Sequence, residues 1–194
     1  MALTSSSDSI TELSSEDRRV LLELAQASIE HGVHGQKLHI KPADYSQNLQ
    51  RQGASFVTIK VTQELRGCIG SIEAQRMLVV DVVRNAHAAA FSDPRFPPLT
   101  AAELNGLDVH ISVLSAPQTV ACTSEADLIG QLRPGIDGVI IEEGGCRATY
   151  LPGVWEVLPD PQEFMRQLKC KAGLPADYWS ERIRVKRYRV EDIP

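Results

Sequence analysis

Cys68 is framed by Gly67 and Gly70 and follows Arg66 by two residues, in the hexapeptide Leu65-Arg66-Gly67-Cys68-Ile69-Gly70. The thiolate is the reactive form of cysteine and a nearby cation favours it, so this thiol is a candidate nucleophile. The two glycines, lacking a Cβ, let a ligand or another stretch of backbone approach closely. The same residues also suit a tight turn with the thiol as filler, because free cysteine is among the most often buried residue types. Cys122, Cys146 and Cys170 have no comparable setting and read as packing residues.

A thiol nucleophile needs a base. His87 and His110 fall within the body of regular elements, and His110, on the polar side of a strand pattern, is the histidine assigned as candidate base for Cys68. A hydrogen-bonded structural histidine fits the same position. Arg66, Arg95 and Arg147 lie in turns or hairpins where a planar, permanently charged group can be held toward a carboxylate or phosphate. With Gly67, Gly70 and Thr149 they form the expected ligand-binding set. The alternative for these arginines is salt bridges to Asp93, Glu142 or Glu143. Convergence of all three on one cleft would favour the ligand.

Other chemistries are disfavoured by pattern. His31, His34 and His39 have the spacing H-x-x-H-x-x-x-x-H, which matches no zinc motif, so no metal site is expected. The chain has no glycine-rich phosphate loop, H-E-x-x-H, G-x-S-x-G or G-x-G-x-x-G, and no cofactor is expected. The four cysteines form no C-x-x-C pair, so reduced thiols and a cytoplasmic location are the expectation. No apolar run approaches the roughly 20 residues that a membrane-spanning helix needs.

The chain has 194 residues and a net charge of −5. That charge is unevenly placed: residues 1–165 hold 12 Lys+Arg against 21 Asp+Glu, residues 166–189 hold 8 against 2. An acidic body argues against broad binding to a phosphate backbone, yet a local basic stripe suits one phosphate-bearing ligand. Arg182, Arg184, Lys186, Arg187 and Arg189 form such a stripe, which resembles a nucleic-acid surface and equally a solvated edge strand protected by charge.

The elements that must position these residues follow from periodicity. Residues 1–14 read as a flexible tail, and residues 15–194 as one domain, possible as two lobes. Ser14 with Asp17 predicts a capped helix presenting Val20, Leu21, Leu24, Ala25 and Ile29, ended by Gly32. Residues 33–53 show no clear period and read as a long connection. Val57, Ile59 and Val61 alternate with Thr58 and Lys60 in a strand, and Leu65–Glu73 begins a second strand beside it. Helical spacing from Met77 to Phe91 stops near Pro94, leaving Asp93–Leu99 as a stiff loop. Leu107–Val113 alternates as a strand, Ser124 caps a short helix, and Gly138–Ile141 with Arg147–Leu151 forms a hairpin. Asp160, Pro161 and Glu163 predict a capping box, with Gly173 closing that helix. Arg182–Val190 reads as one strand with a bulge near Lys186. The mixed order gives an α+β fold with a largely antiparallel sheet.

Leu65–Gly70, Arg95-Phe96-Pro97-Pro98-Leu99 and Ala148-Thr149-Tyr150-Leu151-Pro152 together resemble the signature of the AMMECR-domain family. Pro152-Gly153-Val154-Trp155-Glu156 and the short N-terminal region are similar to its prokaryotic branch, while Cys146-Arg147 replaces a more basic or glycine-containing turn. The resemblance implies two β-α-β-containing halves sharing one sheet. It also implies association with a Memo-like protein and a radical-SAM enzyme in the AmmeMemoRadiSam system. Two functions stay open: a binding or accessory component of that system, and a thiol-dependent enzyme using Cys68 on an anionic nucleotide, RNA or small-molecule substrate.

Overall fold

Ser14 starts the first helix as its spacing requires: its hydroxyl accepts the Asp17 N–H at 3.0 Å, and the Asp17 carboxylate accepts the Ser14 N–H at 3.4 Å. The structure, a computed structural model, describes residues 13–194. The expected tail therefore lies outside the described residues up to position 12, while Leu13 is buried. Helix α1 (Ser15–Val33) buries Leu21, Ala25 and Ile29 at i, i+4 spacing, with Val20 and Leu24 at the margins of that face.

The connection that follows is not without structure. It holds a 3₁₀ turn at Pro42–Asp44 and a one-turn helix α2 (Gln47–Gln50) capped by Ser46. Single turns bury too few residues to leave a hydrophobic period, and only Leu49 is buried there. Then come β1 (Gln52–Val61), β2 (Glu64–Gly70), β3 (Arg76–Met77), α3 (Leu78–Phe91) and β4 (Leu107–Leu114). β1 pairs antiparallel with β2, β3 and β4. Val57, Ile59, Val109 and Ile111 pack with α1 and α3, each burial stabilising by about 1.5–3 kcal/mol. Gly67 lets α3 come close to β2, since a Cβ there would overlap the Ala89 carbonyl.

The chain then forms β5 (Gln118–Thr119), α4 (Glu125–Gln131), β6 (Gly138–Glu143), β7 (Cys146–Tyr150), α5 (Pro161–Lys171), β8 (Arg184–Tyr188) and β9 (Val190–Ile193). Two compact units result: residues up to Ser115 with Glu191–Pro194, and Ala116–Val190. Each has its own sheet, in the order β2-β1-β4-β9 with β3 beside β1, and β5-β8-β6-β7. The one shared sheet implied by the family resemblance is thus replaced by two, because the chain leaves the second sheet after Tyr188 and pairs with β4 from Val190 on.

In the second unit Trp155 stacks on Phe164 at 3.7 Å and 4°, over Met165 and Leu168 of α5. Asp160 caps α5 through the Gln162 and Glu163 N–H groups. The expected capping box is not completed, since the Glu163 carboxylate turns to Gln167 at 2.6 Å. The bulge expected near Lys186 is also absent: Val185 and Tyr188 lie on opposite faces of β8 and both are buried, Tyr188 in space left by Gly138. β8 is an interior strand rather than an edge, flanked by β5 and β6. Two of its cations are held, Lys186 by Glu142 and Arg187 by the Gln131 carbonyl.

Candidate functional site

β2 sets Cys68 opposite Thr58 of β1, and Thr58 is opposite His110 of β4. Side chains at paired positions share a face, so Cys68, Thr58 and His110 form one row on the side of the sheet away from α1 and α3. The Thr58 hydroxyl donates to the Cys68 sulfur at 3.2 Å. His110 stands two strand spacings from Cys68, about 9–10 Å, and its Nε2 lies 2.8 Å from Asp108 Oδ2. The fold thus brings the predicted nucleophile and base to one face, with Thr58 between them.

The backbone around Cys68 is fixed by Asp93, which follows α3. Its Oδ2 accepts the Cys68 N–H at 2.9 Å and the Arg95 Nη2 at 2.7 Å, and its Oδ1 accepts the Arg95 Nε and backbone N–H. Asp93 is 4% exposed. The Arg95 guanidinium, with the two backbone donors, holds its carboxyl well below the usual carboxylate range against the opposing effect of burial. Arg95 itself stays half exposed.

Arg66 lies at an irregularity where the β1–β2 register shifts between Ile59 and Lys60. Its Nε donates to Glu103 at 2.6 Å and its Nη2 to Glu103 and the Pro98 carbonyl at 3.4 Å, while Nη1 is buried without a partner. Arg66 and the Thr100 amide bring the Glu103 carboxyl down to about 2. Phe96 lies against both guanidinium groups, 5.8 Å from Arg66 and 5.4 Å from Arg95. Gly70 leaves room for the Phe56 ring, which a Cβ would overlap. The signature is therefore a charge-balanced cluster: two arginines, two carboxylates and one ring.

Arg147 and Thr149 belong to the second unit. Arg147 Nε pairs with Glu142 at 3.1 Å, one of the alternatives its sequence setting offered. Thr149 is buried; its hydroxyl donates to the Val139 carbonyl at 2.9 Å and lies 2.8 Å from the Tyr188 hydroxyl. Burial pushes the Tyr188 phenol up to about 12. Thr58 and Glu103 carry no functional signal in the sequence reading, and Phe96 enters it only as part of the Arg95–Leu99 motif. The Thr100-x-x-Glu103 spacing, a capping-box pattern, is the signal that marks Glu103. Among the described residues no three His, Cys, Asp or Glu side chains are grouped to hold a metal ion, and no helix is long and apolar enough to cross a membrane.

Comparison with known proteins gives a consistent result. The family model described as AMMECR1 matches residues 22–193. A protein of Methanothermobacter thermautotrophicus is 36% identical over 185 residues, covering 92% of this chain and 94% of the relative. Protein SSO0193 of Saccharolobus solfataricus is 36% identical over 186 residues, covering 92% and 82%. The crystal structure of the uncharacterized protein PH0010 from Pyrococcus horikoshii is similar with a TM-score of 0.80 and 32% identity, covering 89% of this chain and 88% of that one.

Proposed function

The chain belongs to the AMMECR1 family, and from that premise we propose that it is a non-catalytic binding and accessory component whose signature cluster is a recognition surface for a protein partner. The observation that carries this reading is that both signature arginines are already bound by carboxylates, Arg66 by Glu103 and Arg95 by Asp93. A clamp for an anionic substrate needs positive charge in excess, and this cluster has none. What it offers instead is a rigid ring edged by two guanidinium groups, the side-chain types over-represented at protein interfaces. The Memo-like and radical-SAM proteins implied by the family resemblance are the partners we propose, in the cytoplasm.

The thiol-enzyme reading keeps one observation in its favour: Cys68 is only half-buried and shares one sheet face with His110. The two readings separate in one experiment. Complex formation with co-expressed Memo-like and radical-SAM proteins is measured by analytical ultracentrifugation for wild type, Phe96→Ala and Cys68→Ser. Iodoacetamide labelling of each cysteine in the native protein is followed in parallel by peptide mass spectrometry. The recognition reading expects Phe96→Ala to weaken the complex, Cys68→Ser to leave it intact and Cys68 to label no faster than Cys170. Rapid labelling confined to Cys68, with no complex in any variant, would favour the enzyme.

A further inference from the structure

Helix α3 carries a second constellation, away from the signature cluster. A cavity of about 600 Å³ lies against its side and is lined by Lys37 and His39 from the connection after α1, Arg76 from β3, and Arg84 and His87 from α3. No Asp or Glu lines it. None of Arg66, Cys68 or Arg95 does either.

The charge in this cavity is not neutralised by the fold. Among the described residues neither Lys37 nor Arg84 has an ion-pair partner. Arg76 is the exception, and its partner fixes it in place. Asp81 is fully buried beneath it and accepts Arg76 Nη1 at 3.0 Å and the Ser71 hydroxyl at 2.7 Å on one oxygen. Its other oxygen accepts the Ser55 N–H and hydroxyl and the Asn85 amide. The guanidinium is thus anchored at one nitrogen and remains about a third exposed, 34%, with its other donors available.

Lys37 and His87 are close enough to influence each other: burial first, and then the Lys37 charge, lower the His87 pKa. Like charges converging in a concave site repel one another, and a bound anion offsets that cost. The volume falls within the range of small-molecule sites. The cations close around a pocket rather than running along a stripe, which favours a compact ligand over a polynucleotide.

We propose that this cavity binds a phosphorylated small molecule carrying at least two negative charges, of the nucleoside diphosphate type. Arg76 is the fixed fork that takes phosphate oxygens, and the exposed Lys37 and Arg84 supply further charge to them. The proposal goes beyond the recognition surface at the signature cluster and does not depend on it.

The test is isothermal titration calorimetry on the full chain with inorganic pyrophosphate, ADP and a short single-stranded RNA. Lys37→Ala and Arg84→Ala are the variants, because both side chains are exposed and outside the core. Lys41→Ala, a cation outside the cavity, is the control. Circular dichroism establishes that all three remain folded. Saturable one-to-one binding of pyrophosphate or ADP is expected, weakened about tenfold by each cavity substitution and unchanged in the control, as loss of one charge-assisted contact implies. Absence of saturable binding by both phosphates overturns the proposal, as does equal affinity in wild type and the cavity variants. RNA binding tighter than ADP, and lost in the same variants, overturns it in favour of a nucleic-acid surface.

Discussion

Asp93 accepts the backbone N–H of Cys68 at 2.9 Å while binding the Arg95 guanidinium through both oxygens, so one buried carboxylate ties β2 to the loop after α3. Its folded pKa lies below the unfolded value, so the stabilisation is complete above about pH 4 and is lost as acid carries the solution down through the folded value. Asp93→Asn is expected to destabilise the protein by about 2 kcal/mol at neutral pH. Urea unfolding at neutral pH and near pH 3 checks this, with the gap between wild type and variant narrowing in acid. An equal gap at both values would mean that the charge is not what holds the loop.

Gly67→Ala is expected to destabilise by about 3 kcal/mol or more, because the new methyl overlaps the backbone carbonyl of Ala89 rather than a side chain able to turn aside. Gly130→Ala, where a Cβ meets nothing and the residue lies within α4, is the comparison and should be neutral or stabilising. Thermal melting of the two variants decides the matter.

Thr149 and Tyr188 share a buried hydrogen bond at 2.8 Å, and Thr149 also donates to the Val139 carbonyl. Thr149→Val and Tyr188→Phe should each cost about 1–2 kcal/mol. A double-mutant cycle by denaturant unfolding should return a coupling of at least about 0.5 kcal/mol. Strict additivity would show that the two hydroxyl groups act independently.

His87 is predicted to titrate below the ordinary histidine range, and Lys37→Met should raise its pKa part of the way back, since burial remains after the charge is removed. Arg84 on the same helix and Arg76, held by Asp81, also line the cavity and keep their charges in the variant. A histidine whose folded pKa is lowered destabilises the native state as pH falls below about 6.5, because the unfolded chain takes the proton more readily. Proton NMR of the imidazole resonances across this window provides the measurement. No change in Lys37→Met would separate Lys37 from His87.

The antiparallel α+β class, the cap at Ser14, the strands of β1 and β4 and the helix from Pro161 were all legible in local pattern. Each is set by interactions within a few residues: a hydroxyl reaching an amide three positions on, or alternation along one strand. The division of Arg182–Val190 was not legible. Val185 and Tyr188 are buried on opposite faces of one strand, so the change of parity that suggests a bulge reflects burial of both faces, and Val190 begins a strand of the other sheet. That depends on which strands the residues meet, and no local period records it.

The sequence by itself determined the family, through Leu65–Gly70, Arg95–Leu99 and Ala148–Pro152, and it marked Cys68, Arg66 and Arg95 as neighbours of one another in chemistry. Only the tertiary structure decided what those groups face. Glu103 reaches Arg66 from 37 positions away and pairs with it, while Asp93, already beside Arg95 in the chain, also reaches the Cys68 amide 25 positions back. In the same way Lys37 and Arg84, with Arg76 held by Asp81, are scattered along the chain without a motif and line one basic cavity. Charge balance at a site is a sum over residues close in space, and spacing along the chain does not carry that sum.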